Sequence, residues 1–251
     1  MNEAYINPPA KTPEHVTHRT FYSKLAEHEI GYNIYLPPSY ETDGRPYPVH
    51  YHLHGWTNNE STDLWTLEHR YKNREAITVF ANAAFGSDVY REPVESIIIT
   101  ELLPHIDRTY RTQASRKGRA LSGWSMGGGG ALYYAVKYRD LFSAVTAYAG
   151  TFHHYFHENH QIFETRESSA AAALYRAIMR DEKYFAQGSI LYFIRRNAEQ
   201  LRGRLQIELR VGSEDILFCE NEIMHLFLNS QGLAHEYRTF EGVSHELHKI
   251  I

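Results

Sequence analysis

The chain carries a single cysteine, Cys219. An internal disulfide is therefore excluded, and so is a cysteine-based zinc site. No stretch approaches the ~18 consecutive apolar residues that a membrane-spanning helix needs. The first 16 residues lack the basic start and apolar core of a signal peptide. The sequence as given is therefore expected to act in the cytoplasm, or outside the cell if a leader preceded it. No large charge excess exists either, the formal net charge being −4 at pH 7. Such a balance gives no general attraction to phosphate backbones or anionic lipid, so neither nucleic acid nor a membrane is an expected partner. Internal repeats and low-complexity linkers are also missing.

What is present fits one large α/β unit. Across 251 residues, 43% are hydrophobic and 22% charged, ordinary values for a globular protein. A single domain over 1–251 is expected, since no break favours two. Short runs rich in Tyr, Phe, Ile and Val at 16–25 and 29–36 predict two strands, closed by Pro37, Pro38 and the Asp43-Gly44 pair. Further strands are predicted at 47–54, 76–81, 118–124, 143–149, 205–211 and 235–240. Helices are expected at 95–110, with Pro104 as a kink or boundary, at 126–138, at 216–229 and from 247. The segment 151–203 reads as a mostly helical insertion. Strands alternating with helices predict a mostly parallel central sheet with helices on both faces. Ligands in such sheets bind at the carboxyl ends of the strands.

Residues 123–127 read Gly-Trp-Ser-Met-Gly. An apolar strand precedes this G-x-S-x-G pattern and a helix follows it, the context in which the serine becomes a nucleophile. A sharp strand-to-helix turn projects the Ser125 hydroxyl above the sheet and requires glycine at 123 and 127. The helix beginning at Met126 aims backbone N–H groups and a positive dipole end at the site, an arrangement suited to an oxyanion. A glycine-rich loop that only packs a helix on a sheet would also suit Gly127 to Gly130. No G-x-x-x-x-G-K-[ST] pattern supports nucleotide binding.

A serine hydroxyl needs a base to take its proton, and sixteen histidines make counting useless. Chain order discriminates: nucleophile, then acid, then histidine. The acid is expected just after the strand at 205–211, where Glu214 and Asp215 both qualify. The histidine is expected after the last strand, where His245 fits and His248 is carried away by the terminal helix. A second oxyanion donor is expected from the loop after the third strand. There Gly55 permits a turn that directs the Trp56 N–H toward the substrate, alongside the Met126 N–H. Trp56, Trp124, Phe152 and His153 are candidate substrate contacts.

The chain resembles the esterase D-like branch of the α/β-hydrolases, which includes feruloyl esterases, S-formylglutathione hydrolases and mycolyltransferases. The resemblance is carried, in order, by Tyr32-Asn-Ile-Tyr-Leu-Pro-Pro-Ser-Tyr40, Tyr51-His-Leu-His-Gly55, Glu101-Leu-Leu-Pro-His-Ile106 and Arg119-Ala-Leu-Ser-Gly-Trp-Ser-Met-Gly-Gly128. Tyr138-Arg-Asp-Leu-Phe142, Gly212-Ser-Glu-Asp215 and Gly242-Val-Ser-His245 complete it. It implies an α/β-hydrolase fold with a helical insertion over the site. It also implies Ser125, Asp215 and His245 as the triad, with Asp215 chosen over Glu214. The backbone of Met126 and Trp56 would hold the oxyanion, with no metal or organic cofactor. The loop after Gly55 lacks the further glycines common in feruloyl esterases, and 151–203 matches nothing in the family pattern.

His153, His154, His157 and His160 cluster, but no third-ligand pattern accompanies them, so they are expected to be solvated or rim histidines rather than metal ligands. His50, His52 and His54 alternate along one strand face and are expected to be neutral and hydrogen-bonded. The function these residues predict is a serine carboxylic-ester hydrolase acting on a small or aromatic, feruloyl-like acyl ester. A thioesterase, an acyltransferase and a non-catalytic binding protein on this scaffold are the alternatives.

Overall fold

A computed structural model describes residues 5–83, 90–152 and 189–251. β1 (Val16–Ser23) and β2 (His28–Tyr35) pair antiparallel. β3 (Val49–Leu53), α1 (Glu68–Tyr71) and β4 (Ile77–Ala81) follow. Next comes a helical stretch made of α2 (Val94–Ser96), a π-helical turn (Ile97–Leu102) and α3 (Leu103–Thr109). Pro104 explains the break. Its ring has no N–H and clashes with the carbonyl four residues back, so the widened turn sits immediately before it. β5 (Arg119–Trp124), α4 (Met126–Lys137) and β6 (Ala144–Tyr148) complete the middle of the chain. α5 (Ile190–Leu201), β7 (Gln206–Gly212), α6 (Phe218–Ser230), β8 (Glu236–Phe240) and α7 (Leu247–Ile250) follow.

The strands form one eight-stranded sheet in the order β1-β2-β4-β3-β5-β6-β7-β8. β2 meets β4 antiparallel, and every later pairing is parallel. The predicted strands are all present, with ends that differ by one or two residues.

The two faces of the central sheet differ in chemistry. Val49, Tyr51, Leu53, Leu121, Val145, Ala147, Ile207 and Leu209 belong to the main buried core, together with Leu132 and Val136 of α4. The register sets His50 beside Thr78 and Ala120, His52 beside Ser122, Ser122 beside Thr146, and Thr146 beside Glu208. Because side chains alternate along a strand, these residues share the opposite face. α1 covers part of that face through Leu67 and Tyr71 against Phe80, and α7 another part through Leu247 and Ile250 against Trp124 and Tyr148. Both helices span only four residues. The polar run between them is therefore partnered by hydrogen bonds rather than by an apolar cover.

The expected insertion at 151–203 lies mostly outside the described residues. Its last part, α5, packs on α4, where the Asn197 side-chain amide donates to the Val136 carbonyl at 2.7 Å. That part belongs to the helical layer of the core rather than to a cover over the site.

Candidate active site

The β5–α4 junction is the tightest turn in the neighbourhood. Ser125 lies at φ 55, ψ −115, a conformation that costs a non-glycine residue about 1–3 kcal/mol. Its N–H donates to the Tyr148 carbonyl at 2.8 Å, and its carbonyl accepts from Gly129 and Thr151, each at 3.1 Å. These bonds hold the strained residue from β6 and from α4. Glycine on either side is a steric requirement. A Cβ on Gly123 would lie 2.0 Å from the Gly127 carbonyl oxygen, and a Cβ on Gly127 would lie 2.0 Å from that of Leu53. Helix propensity opposes four successive glycines in α4 by roughly 1 kcal/mol each, but only a bare backbone approaches this closely.

The other two predicted residues arrive from loops at the carboxyl ends of β7 and β8. These loops are tied together. Ser213 N–H donates to Phe240 O at 2.9 Å, and Glu214 N–H donates to Val243 O at 3.0 Å. Gly242 N–H donates to Ser213 Oγ at 2.9 Å. Within this clasp His245 Nδ1 lies 2.9 and 2.8 Å from the two Asp215 oxygens. Its Nε2 lies 3.0 Å from Ser125 Oγ. A carboxylate only accepts, so the ring proton sits on Nδ1 and the Nε2 lone pair faces the serine hydroxyl. Asp215 is 5% exposed and also accepts the Leu217 N–H at 2.8 Å. Glu214 points to solvent, and His248 is an exposed residue 4.0 Å from Glu246. The geometry thus separates the candidates that chain order alone left open.

The Met126 N–H opens α4, where the first N–H groups of a helix have no acceptor within it. Trp56 occupies a turn in which Asn58 N–H donates to Gly55 O at 3.2 Å and Thr57 sits at φ 63. A Cβ on Gly55 would lie 2.7 Å from Trp124 Cδ1, so this loop abuts the Ser125 turn. His54 braces it from below. Its Nδ1–H donates to Gly55 O at 2.8 Å and its Nε2 accepts from Ala83 N–H at 3.0 Å. Burial pushes its pKa down, so the ring is neutral, as the alternation of the three strand histidines predicts.

Two expected substrate contacts have protein neighbours of their own. Phe152 is 1% exposed and its ring abuts Gly150, so it fills core space at the end of β6. Trp124 is 9% exposed and its ring stacks on His245, with centroids 4.2 Å apart and planes 28° apart. Alternation along β5 turns it toward the face that α7 covers, which brings it under the histidine. His153 lies outside the described residues, as do His154, His157 and His160. The stack suits Trp124 to position the ring, since an indole face favours an imidazolium by about 0.5–2 kcal/mol. Trp124→Leu is expected to lower kcat roughly 2- to 30-fold with little change in KM, and Trp124→Phe to restore most of it. Equal losses in both variants would argue against the ring contact.

Among the described residues no cluster of three or more metal-ligating side chains occurs, and no helix is long and apolar enough to cross a membrane.

The Esterase family model, described as "Putative esterase", matches residues 23–249. The chain is 33% identical over 148 residues to an esterase of Mycobacterium tuberculosis, covering 53% of this chain and 32% of that protein. It is 32% identical over 131 residues to an endo-1,4-beta-xylanase/feruloyl esterase of Xylanibacter ruminicola, covering 43% of this chain and 18% of that one. The matches thus span no more than 32% of these curated relatives' length. Among solved structures, a ferulic acid esterase superposes with a TM-score of 0.74 at 24% identity, covering 92% of this chain and 91% of its own. An S-formylglutathione hydrolase of Staphylococcus aureus superposes with a TM-score of 0.77 at 14% identity, covering 93% and 94%. At these identities the likeness is one of fold.

Proposed function

The chain belongs to the Esterase family and has the α/β-hydrolase fold, and on that premise we propose that it hydrolyses carboxylic esters through an acyl-enzyme on Ser125. The observation that carries this is the continuous chain from Ser125 Oγ to His245 to the buried Asp215. In the proposed reaction Oγ attacks the ester carbonyl while its proton passes to His245 Nε2. The backbone N–H groups of Met126 and Trp56 bind the oxyanion, where each such donor is worth about 10²–10³ in rate. His245 then protonates the departing alkoxide. Asp215 keeps the imidazole in the productive tautomer and stabilises its charged form. Water, deprotonated by the same histidine, releases the acid and frees Ser125.

The substrate we propose is a small or aromatic acyl ester of the feruloyl kind. Support comes from the ferulic acid esterase fold likeness and the sequence likeness to a xylanase/feruloyl esterase. Thioester cleavage is the second reading, supported by the fold likeness to an S-formylglutathione hydrolase. Turnover of p-nitrophenyl acetate, methyl ferulate and S-formylglutathione separates them. The expected result is a p-nitrophenol burst equal to the enzyme concentration, and a higher kcat/KM for methyl ferulate than for the thioester. The reverse order would favour the thioesterase, and no turnover of any of the three would overturn the hydrolase.

A further inference from the structure

The polar face of the sheet holds a second constellation, on the opposite side from α4. Between α1 and the strands lies a cavity of about 110 Å³, lined by Arg70, Arg74, His50, Thr78, Ser122 and Thr146 among others. Liquid water takes about 30 Å³ per molecule, so the space suits a few waters or one small polyatomic ion.

Its wall is pre-organised. His50 Nε2 lies 2.7 Å from Ser122 Oγ, and His52 Nδ1 lies 2.9 Å from the same oxygen. His52 Nε2 in turn lies 3.0 Å from the Asp63 carboxylate. A carboxylate only accepts, so Asp63 accepts the His52 Nε2–H, while the Ser122 hydroxyl bridges His52 Nδ1 and His50 Nε2. Four side chains from β3, β5 and the loop before α1 therefore fix one another. Burial, reinforced by Arg74, His52 and Arg70, pushes His50 down to about 3, so the imidazole adds no positive charge of its own.

The charge comes from Arg70 and Arg74. Neither is ion-paired among the described residues, because each nearby carboxylate is engaged elsewhere. Glu68 pairs with Lys72 at 3.9 Å. Glu75 pairs with Arg45. Asp63 pairs with His52 at 3.0 Å, and Glu208 pairs with Arg210 at 2.7 Å. Two guanidinium groups thus line a small cavity whose other walls are hydroxyl and imidazole groups, the side chains of Leu67, Tyr71, Phe80 and Tyr148, and one carboxylate, Glu208, which Arg210 already balances. Guanidinium forks match the oxygens of planar and tetrahedral oxyanions through paired hydrogen bonds. Two forks plus the Thr78 hydroxyl exceed what two carboxylate oxygens use and suit the larger oxygen set of a phosphate.

We propose that this cavity binds a phosphate-type oxyanion, held by Arg70 and Arg74 beside the His50–Ser122 pair. A larger hollow of about 570 Å³ adjoins it, sharing Thr146 and Glu208. The oxyanion can therefore be free phosphate or the head of a phosphomonoester whose remainder lies along β6 and β7.

Calorimetric titration of the whole protein tests this, using inorganic phosphate and ribose 5-phosphate at constant ionic strength set with chloride. Saturable binding of at least one is expected, weakened 10-fold or more in Arg70→Gln/Arg74→Gln. The same variant should hydrolyse esters at the native rate, which shows that it is folded. Lys72→Gln, a charge change on the same segment outside the cavity, should bind as the native protein does. A monoester binding 10-fold tighter than phosphate identifies the ligand as a monoester, and equal affinities identify free phosphate. No heat beyond that of chloride would overturn the proposal. So would an equal loss in Lys72→Gln, which would reduce the effect to general charge attraction.

Discussion

Ser125→Ala is expected to lower kcat for ester hydrolysis by about 10⁴- to 10⁶-fold while leaving the fold intact. The substitution removes one oxygen from a half-buried position whose backbone is held independently, through Tyr148, Gly129 and Thr151. Alanine at φ 55 meets the same steric cost as serine, so stability should change little. What disappears is the only atom that His245 Nε2 approaches from the nucleophile turn, at 3.0 Å. Steady-state assay with p-nitrophenyl acetate, with mass spectrometry after a fluorophosphonate probe, reads both halves of this. The native protein should gain one adduct and the variant none. A variant retaining more than about 1% of native kcat would remove Ser125 from the mechanism.

The second large effect is expected at Asp215. Asp215→Asn should cost about 10⁴-fold in kcat. An amide can offer the His245 ring a donor where the carboxylate offers only acceptors, which turns the imidazole to the wrong tautomer. The Leu217 N–H that Asp215 accepts at 2.8 Å can still be accepted by the asparagine oxygen, so the loop should hold. Glu214→Gln, at the exposed neighbour, should change kcat less than 2-fold. Its backbone N–H, not its side chain, makes the bond to Val243. Parallel kinetics of the two variants decide the matter: comparable losses would mean that the acid is shared or assigned to the wrong residue.

Much of this was legible in the residues, and the reasons are local. The strand, the glycine pair and the helix around Ser125 are contiguous, so short-range sterics determine the turn. Where β7 and β8 end narrows the acid to Glu214 or Asp215 and points to His245, and the choice of Asp215 comes from the family resemblance. The neighbour of Trp124 was not legible. Alternation along β5 tells which face it takes, but its partner His245 comes from a distant loop, and no local pattern records that stacking. Phe152 shows the converse difficulty. An aromatic residue just past a strand end suits a pocket wall or a core, and only the close approach of Gly150 decides for the core. The Asp63 partner of His52 was missed because an irregular loop brings it back across the sheet. The π-helical turn before Pro104 depends on how a helix absorbs a missing hydrogen bond, which composition signals only as an interruption.

The clasp between the loops after β7 and β8 also has a temporal side. Ser125 and His245 are separated by 120 residues, and chains are made from the amino end at about 5–20 residues per second. A growing chain therefore carries its nucleophile turn for several seconds before its base has been synthesised. On the proposed mechanism the serine has no partner to accept its proton during that interval, and the newborn protein is silent toward esters. On that mechanism turnover begins only when β8 has docked at the sheet edge and the two loops have closed on each other. Hydrolysis then counts finished molecules, so refolding followed by activity should report the last step of assembly rather than the first.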